Sequence, residues 1–188
     1  MNKNDLRIKS VERNVSYAQA GIHEEGHNGG DFINKVEEIW GMNNEPYCAM
    51  GQFWNFGITW LILSGVDVQE NNASSLLKKY KSAICSDTLT FDPAVIKMVE
   101  AAKKRKQYIE FKNASVLKKG DFVIFNFGTD KIPAYHIEQF SHLHGEHIVT
   151  VGWNTSAENS TAGNDPTGGG GIFVKERSLE KIIGIISW

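Results

Sequence analysis

Apolar residues recur at helical spacing through the first two thirds of the chain and at strand spacing through the last third. Residues 5–20 carry the helical pattern weakly. The glycine-rich GHNGG at 26–30 then breaks the chain. From Asp31, read as an N-cap, a helix places Phe32, Val36, Ile39 and Trp40 on one face, and Gly41 stops it. Glu45-Pro46 opens the next helix, with proline at its first position. Cys48, Phe53, Phe56, Trp60 and Leu63 lie along it, and Ser64-Gly65 ends it. It is apolar on most sides, which predicts a central buried helix. Two more helices are predicted, one from about Asn72 to Ile84 and one from the Asp92-Pro93 start to about Lys106.

After Lys119-Gly120 the texture changes. Segments 121–127 (DFVIFNF), 135–140 (YHIEQF), 147–153 (HIVTVGW), 172–176 (IFVKE) and 182–187 (IIGIIS) are short, rich in β-branched or aromatic residues, and separated by turn residues. Helices first and strands afterwards predict an α+β fold, with N-terminal helices packed on a C-terminal antiparallel sheet of about five or six strands. No repeat or linker divides the 188 residues, so 1–188 reads as one domain. Residues 155–171 (TSAENSTAGNDPTGGGG) hold no large apolar side chain. They read as a surface hairpin loop, or as a flap beside a substrate groove.

Charge narrows the function classes. There are 20 Lys+Arg against 22 Asp+Glu, and the one basic cluster, Lys103-Lys104-Arg105-Lys106, reads as a solvated helix end. Nothing there predicts nucleic-acid binding. No apolar run reaches the roughly 18 residues of a membrane span. The N-terminal segment lacks the apolar stretch of a signal peptide, so synthesis in a cytoplasm is expected. Two cysteines, Cys48 and Cys85, make neither a disulfide framework nor the CxxC spacing of a zinc site.

Cys48, in PYCAM, falls within the first turn of the central helix. Free backbone N–H groups and the positive helix end favour an anion there, and so a thiolate or an oxyanion formed on a bound carbonyl. A single cysteine in an apolar helix also reads as core filling. Cys85, at the far end of a helix, reads as structural. A thiolate nucleophile needs a base, and imidazole suits that task. Of six histidines, His23 and His27 flank a glycine-rich turn, and His142, His144 and His147 cluster at a turn in SHLHGEH, without the HExxH pattern of a metal helix. His136 differs by opening a strand. Asn154, ending the next strand in GWNTS, can accept a bond from the ring N–H and orient it. It reads equally as a turn residue.

These pieces together resemble the CHAP-type cysteine amidases/peptidases, within the NlpC/P60 and papain-like group. PYCAM is similar to that family's Pro-Trp-Cys-Ala-Ala helix start, and KKGDFVIFNF to its Pro-Gly-Asp-hydrophobic strand. HIEQF, GWNTS and ERSLEKIIGIISW are similar to its His-Val-Gly-Ile-Val, Glu-Gly-Asn-Thr-Ser and Arg-Ser-Leu…Ile-Ile-Gly segments, and GIHEEGHNGGDFINKVEEIWG to its Gly-x-x-Glu…Asn-x-Gly opening. The resemblance covers about residues 15–188 and includes the eighteen-residue step from His136 to Asn154.

The resemblance implies a papain-like fold and hydrolysis of amide bonds in bacterial peptidoglycan, as an N-acetylmuramoyl-L-alanine amidase or a stem-peptide endopeptidase. It implies Cys48 as nucleophile, His136 as base, Asn154 as orienting residue, Tyr47 and Trp153 as substrate contacts, and no metal or organic cofactor. The chain would act on the cell wall after holin-type release, as a phage-type lysin, or after injection as an antibacterial effector matched by an immunity or inhibitor protein. No membrane partner is implied. The chain departs from the family pattern at Tyr47, where tryptophan is usual, and at Gly152, where a glutamate often stands two residues before the Asn. Glu138 and Gln139 stand where small or apolar residues are usual, so a weaker third member or a different polar partner stays open: Glu138 or Glu146 as the orienting group, or a Cys48–His136 dyad that suffices. Residues 66–118 match nothing in the family pattern and are expected to shape the groove. Two other readings are a non-catalytic module holding a glycan or peptide beside Trp153 and Trp54, and a cysteine protease acting on protein.

Overall fold

The computed structural model describes residues 1–129, 131–156 and 170–188. Five helices come first: α1 (Lys3–Gln19), α2 (Asp31–Glu38), α3 (Cys48–Leu63), α4 (Ala73–Asp87) and α5 (Val95–Lys104). Six antiparallel strands follow: β1 (Tyr108–Glu110), β2 (Phe122–Asn126), β3 (Tyr135–His144), β4 (His147–Ser156), β5 (Gly170–Arg177) and β6 (Ile182–Ile186). They form one sheet in the order β1-β6-β2-β3-β4-β5. This is the expected α+β layout. Among the described residues no helix is long and apolar enough to cross a membrane.

Every residue of α3 from Cys48 to Leu61 is buried, as its all-round apolar pattern predicts. Its core partners include Ile137 on β3, Val151 and Trp153 on β4, and Ile172 on β5. Glycine allows the closest approach: a Cβ at Gly51 would overlap the Trp153 ring. Buried amides fix the register of α3 against its neighbours. Asn14 on α1 donates to Gln52 (3.0 Å) and Gln139 (3.1 Å), Asn55 donates to Gln139 (3.2 Å), and Gln52 donates to the Val151 carbonyl (2.9 Å). Gln139, out of place in an apolar strand by sequence, is thus the β3 member of a network joining α1, α3 and β4. Such networks specify one arrangement because each member left unpaired would be costly to bury.

Several boundaries differ from the sequence expectation. Helix α3 begins at Cys48 with Tyr47 as its cap, so Pro46 lies outside it. Asp31 is the first residue of α2, and Gly30, at φ 117°, takes the cap position that an L side chain would strain. Asp92 caps from further out, accepting from the Ala94 N–H at 2.9 Å. Strand β1 was not expected, since three residues paired only with β6 leave too short a pattern to read. Residues 157–169, the core of the expected flap, lie outside the described residues.

Candidate active site

Cys48 is the first residue of α3 and is 6 % exposed. Here the N–H groups of the first turn have no intrahelical acceptor. The thiol borders a groove of about 360 Å³. Met42, Glu45 and Pro46 form one side, and Pro93 to Ile96, ahead of and within the start of α5, form another. Part of the 66–118 segment therefore does shape the space beside Cys48.

His136, the second residue of β3, is buried with its imidazole between the Cys48 thiol and the Glu138 carboxylate. Side chains alternate along a strand, so His136 and Glu138 share a face. Nε2 of His136 lies 3.2 Å from Oε1 of Glu138. That contact does not meet the geometry of a directed hydrogen bond, so its attraction is electrostatic. Glu138 is fully buried and held by the Arg177 guanidinium, whose Nε lies 3.2 and 3.1 Å from its two oxygens, and by the Thr150 hydroxyl. Arg177 Nη2 also donates to Thr155 at 3.1 Å. Opposite Glu138 stands Gly152, and a Cβ there would come within 2.6 Å of the carboxylate. The missing side chain at 152 is the space that Glu138 uses.

The charges follow from these neighbours. Burial pulls the His136 pKa down, but the Cys48 thiol and Glu138 outweigh it and raise the pKa from 6.5 to about 9. Burial pushes the Glu138 carboxyl up, and His136 and Arg177 reverse this and lower it to about 2. At neutral pH the ring is an imidazolium beside an ionised carboxylate. Because His136 is raised on folding, its stabilisation is complete below about pH 6.5 and is lost as pH rises through about 9. Glu138 is depressed, so its share is present above about pH 4.5 and is lost as pH falls through about 2. Thermal melting of the wild type should therefore decline between about pH 7 and 9.5 relative to His136→Gln. A constant difference between the two proteins across that range would contradict the pairing.

Asn154 stands elsewhere. It is the extra residue of a β-bulge between the Trp153 and Thr155 pairings, with a left-handed φ of 56° that asparagine tolerates. The bulge turns its side chain to the start of α3. With the amide oriented by its neighbours, Oδ1 accepts from the Tyr47 N–H at 3.2 Å and lies 3.2 Å from the Asn28 amide, while Nδ2 donates to Glu24 at 3.1 Å. The position expected of Asn154, beside the His136 ring, is occupied by Glu138. Glu146, the other alternative, is exposed in the β3–β4 turn.

Tyr47 and Trp153 are not surface groups for a substrate. Both are fully buried, and Trp153 donates from its indole nitrogen to Asn14 at 2.5 Å. Burial and the neighbouring Glu24 carboxylate push the Tyr47 phenol far above its ordinary range. Trp54, buried too, donates to the Tyr17 hydroxyl at 3.2 Å. All three are large apolar residues whose ring area drives them inward. Arg177 and Glu24 fall within segments quoted for the resemblance, but the sequence reading gave neither a role. For Arg177 the available signal was a charge inside a strand, as in VKER, where burial demands an opposite partner.

Comparison with known proteins gave no match to a family model, to a curated protein or to a solved structure.

Cys85 lies on α4, half-buried, and burial pushes its thiol pKa up. The histidine cluster sits on the tip of the β3–β4 hairpin, where His144 and His147 lie 3.3 and 3.6 Å from Glu176. All three rings are exposed, and no group of metal-holding side chains occurs among the described residues. Replacing His142, His144 and His147 together with alanine should change stability by no more than about 0.5 kcal/mol for each substitution. Turnover should survive both that change and EDTA. Inhibition by EDTA reversed by zinc would assign the cluster a catalytic metal.

Proposed function

We propose that this protein is a cysteine hydrolase that cleaves amide bonds of bacterial peptidoglycan, as an N-acetylmuramoyl-L-alanine amidase or a stem-peptide endopeptidase. The observation that carries the chemistry is the His136 ring held between a helix-start thiol and a buried, ionised carboxylate. This is the nucleophile, base and orienting group of a catalytic triad, recognised by roles and not by sequence position. The choice of wall substrate rests on the resemblance to CHAP-type enzymes.

In this reading the Cys48 thiolate attacks the scissile carbonyl. The His136 imidazolium protonates the leaving amine, and the neutral ring then activates the water that releases the acyl group. Glu138 supports the charged ring, and Arg177 keeps Glu138 ionised. First-turn N–H groups of α3 face the developing oxyanion. The protein would serve as a phage-type lysin or an antibacterial effector, and a toxic effector requires an inhibitor in the cell that makes it.

The test is mass spectrometry of purified peptidoglycan after incubation with the protein. Fragments with a new amine and carboxyl end are expected, and their masses distinguish the muramoyl–alanine bond from a stem-peptide bond. Intact material from walls of differing stem and cross-link chemistry would overturn the substrate assignment.

A further inference from the structure

The geometry points to Glu24 and Asn154 as positioning residues that aim the backbone N–H of Cys48 at the oxyanion, a role separate from the orientation of His136. The inference rests on the hydrolase reading above. It starts from Tyr47, the cap residue of α3. Three contacts hold it in place. Its N–H is bound by Asn154 Oδ1 at 3.2 Å. Its carbonyl accepts from the Gly51 N–H at 2.8 Å. Its ring is fully buried beside Glu24.

The Tyr47 carbonyl and the Cys48 N–H belong to one planar peptide unit. Holding Tyr47 on both sides therefore fixes the direction of the Cys48 N–H. With the Tyr47 N–H already bound to Asn154, the Cys48 N–H is the first donor of the helix start left for an oxyanion.

Glu24 in turn holds Asn154. Its Oε1 accepts from Asn154 Nδ2 at 3.1 Å, and its Oε2 accepts from the Asn28 N–H at 3.1 Å. Its own N–H donates to the Gly170 carbonyl at 2.9 Å, beside the Ile172 to Ile22 bond of 3.1 Å, so this segment is fastened to the edge of β5. A side chain at Gly170 would overlap the Glu24 carboxylate. The clamp thus runs from the sheet edge through Glu24 and Asn154 to the cap of α3. It includes no contact with His136.

Two reactions at Cys48 separate this role from others. Acylation by p-nitrophenyl acetate forms the Cys48 S–C bond and breaks the ester C–O bond, and p-nitrophenolate leaves with the electron pair. It passes through a tetrahedral oxyanion. Alkylation by iodoacetamide displaces iodide from carbon and forms no oxyanion. Glu24→Ala and Asn154→Ala should each slow acylation by about tenfold or more, since a misplaced oxyanion donor costs on that scale. Alkylation should change by less than about twofold and keep its pH profile. The double variant should be no slower than Asn154→Ala alone, as expected of two residues acting through one contact.

A parallel loss of both rates would mean general damage to the site, and a shifted alkylation profile would return Asn154 to the imidazole. Unchanged acylation in the folded variants would remove the clamp from the mechanism. Each of these outcomes overturns the inference. Wild-type Cys48 that is alkylated but never acylated would overturn the inference together with the hydrolase reading. Acylation that responds as expected, alongside peptidoglycan left intact, would uphold the inference and reject only the substrate.

Discussion

Cys48→Ala is expected to abolish release of muropeptide fragments, a loss on the order of 10⁴-fold or more, while Cys85→Ala retains most of the activity. The thiol borders the groove, interacts with the imidazole and can form an acyl intermediate. Alanine is a strong helix former and keeps the Cβ, so α3 should form as before. Cys85 lies on another helix, and burial disfavours its thiolate. Iodoacetamide should accordingly label Cys48 first. The assay is fragment release with melting as the folding control. Preferential labelling of Cys85, or activity in a folded Cys48→Ala protein, would reject the nucleophile.

Glu138→Gln should reduce turnover on the order of 10²- to 10⁴-fold, the range for neutralising an orienting carboxylate. Glutamine fills nearly the same volume, so the effect isolates charge from packing. Two independent signs should accompany the loss. The alkaline limb of kcat/KM, expected near pH 9 in the wild type from His136, should move to lower pH because a group that raises the imidazolium pKa is gone. Stability should fall as well, by about 3 kcal/mol, because Arg177 is left as a buried charge without its partner. Thermal melting and a pH–rate profile check both. If turnover is unchanged in the folded variant, the Cys48–His136 pair suffices and Glu138 is structural. If stability alone falls, the Glu138–Arg177 pair belongs to the fold and not to the chemistry.

The order of helices and strands was legible in the chain because it is local. Apolar periodicity of α2 and α3, the stops at Gly41 and Ser64-Gly65, and the change of texture after Gly120 each act within a few residues. The placement of Cys48 at a helix start and of His136 on a strand follows from the same signals. Their proximity does not, since it depends on how α3 crosses β3, and that is set by the buried amides of Asn14, Gln52, Asn55 and Gln139 from three different elements. Helix start positions were off by two residues at α3 because capping there uses a backbone carbonyl and a distant amide, not the local Glu45-Pro46 signal.

The sequence by itself determined the α+β order, the helix-start cysteine and the strand histidine. Only the tertiary structure decided which group stands behind that histidine. One inserted residue in a strand redirects its side chain, so the bulge at Asn154 sends the expected orienting amide to the cap of α3. Glu138 stays ionised in the interior because the His136 imidazolium stands beside it and Arg177, 39 residues further on, reaches it from β5 across β4. The burial of Tyr47 and Trp153 was hidden for a related reason. An aromatic residue beside a reactive one reads alike whether it faces a groove or the core, and the choice depends on packing partners that come together only when the sheet closes over α3.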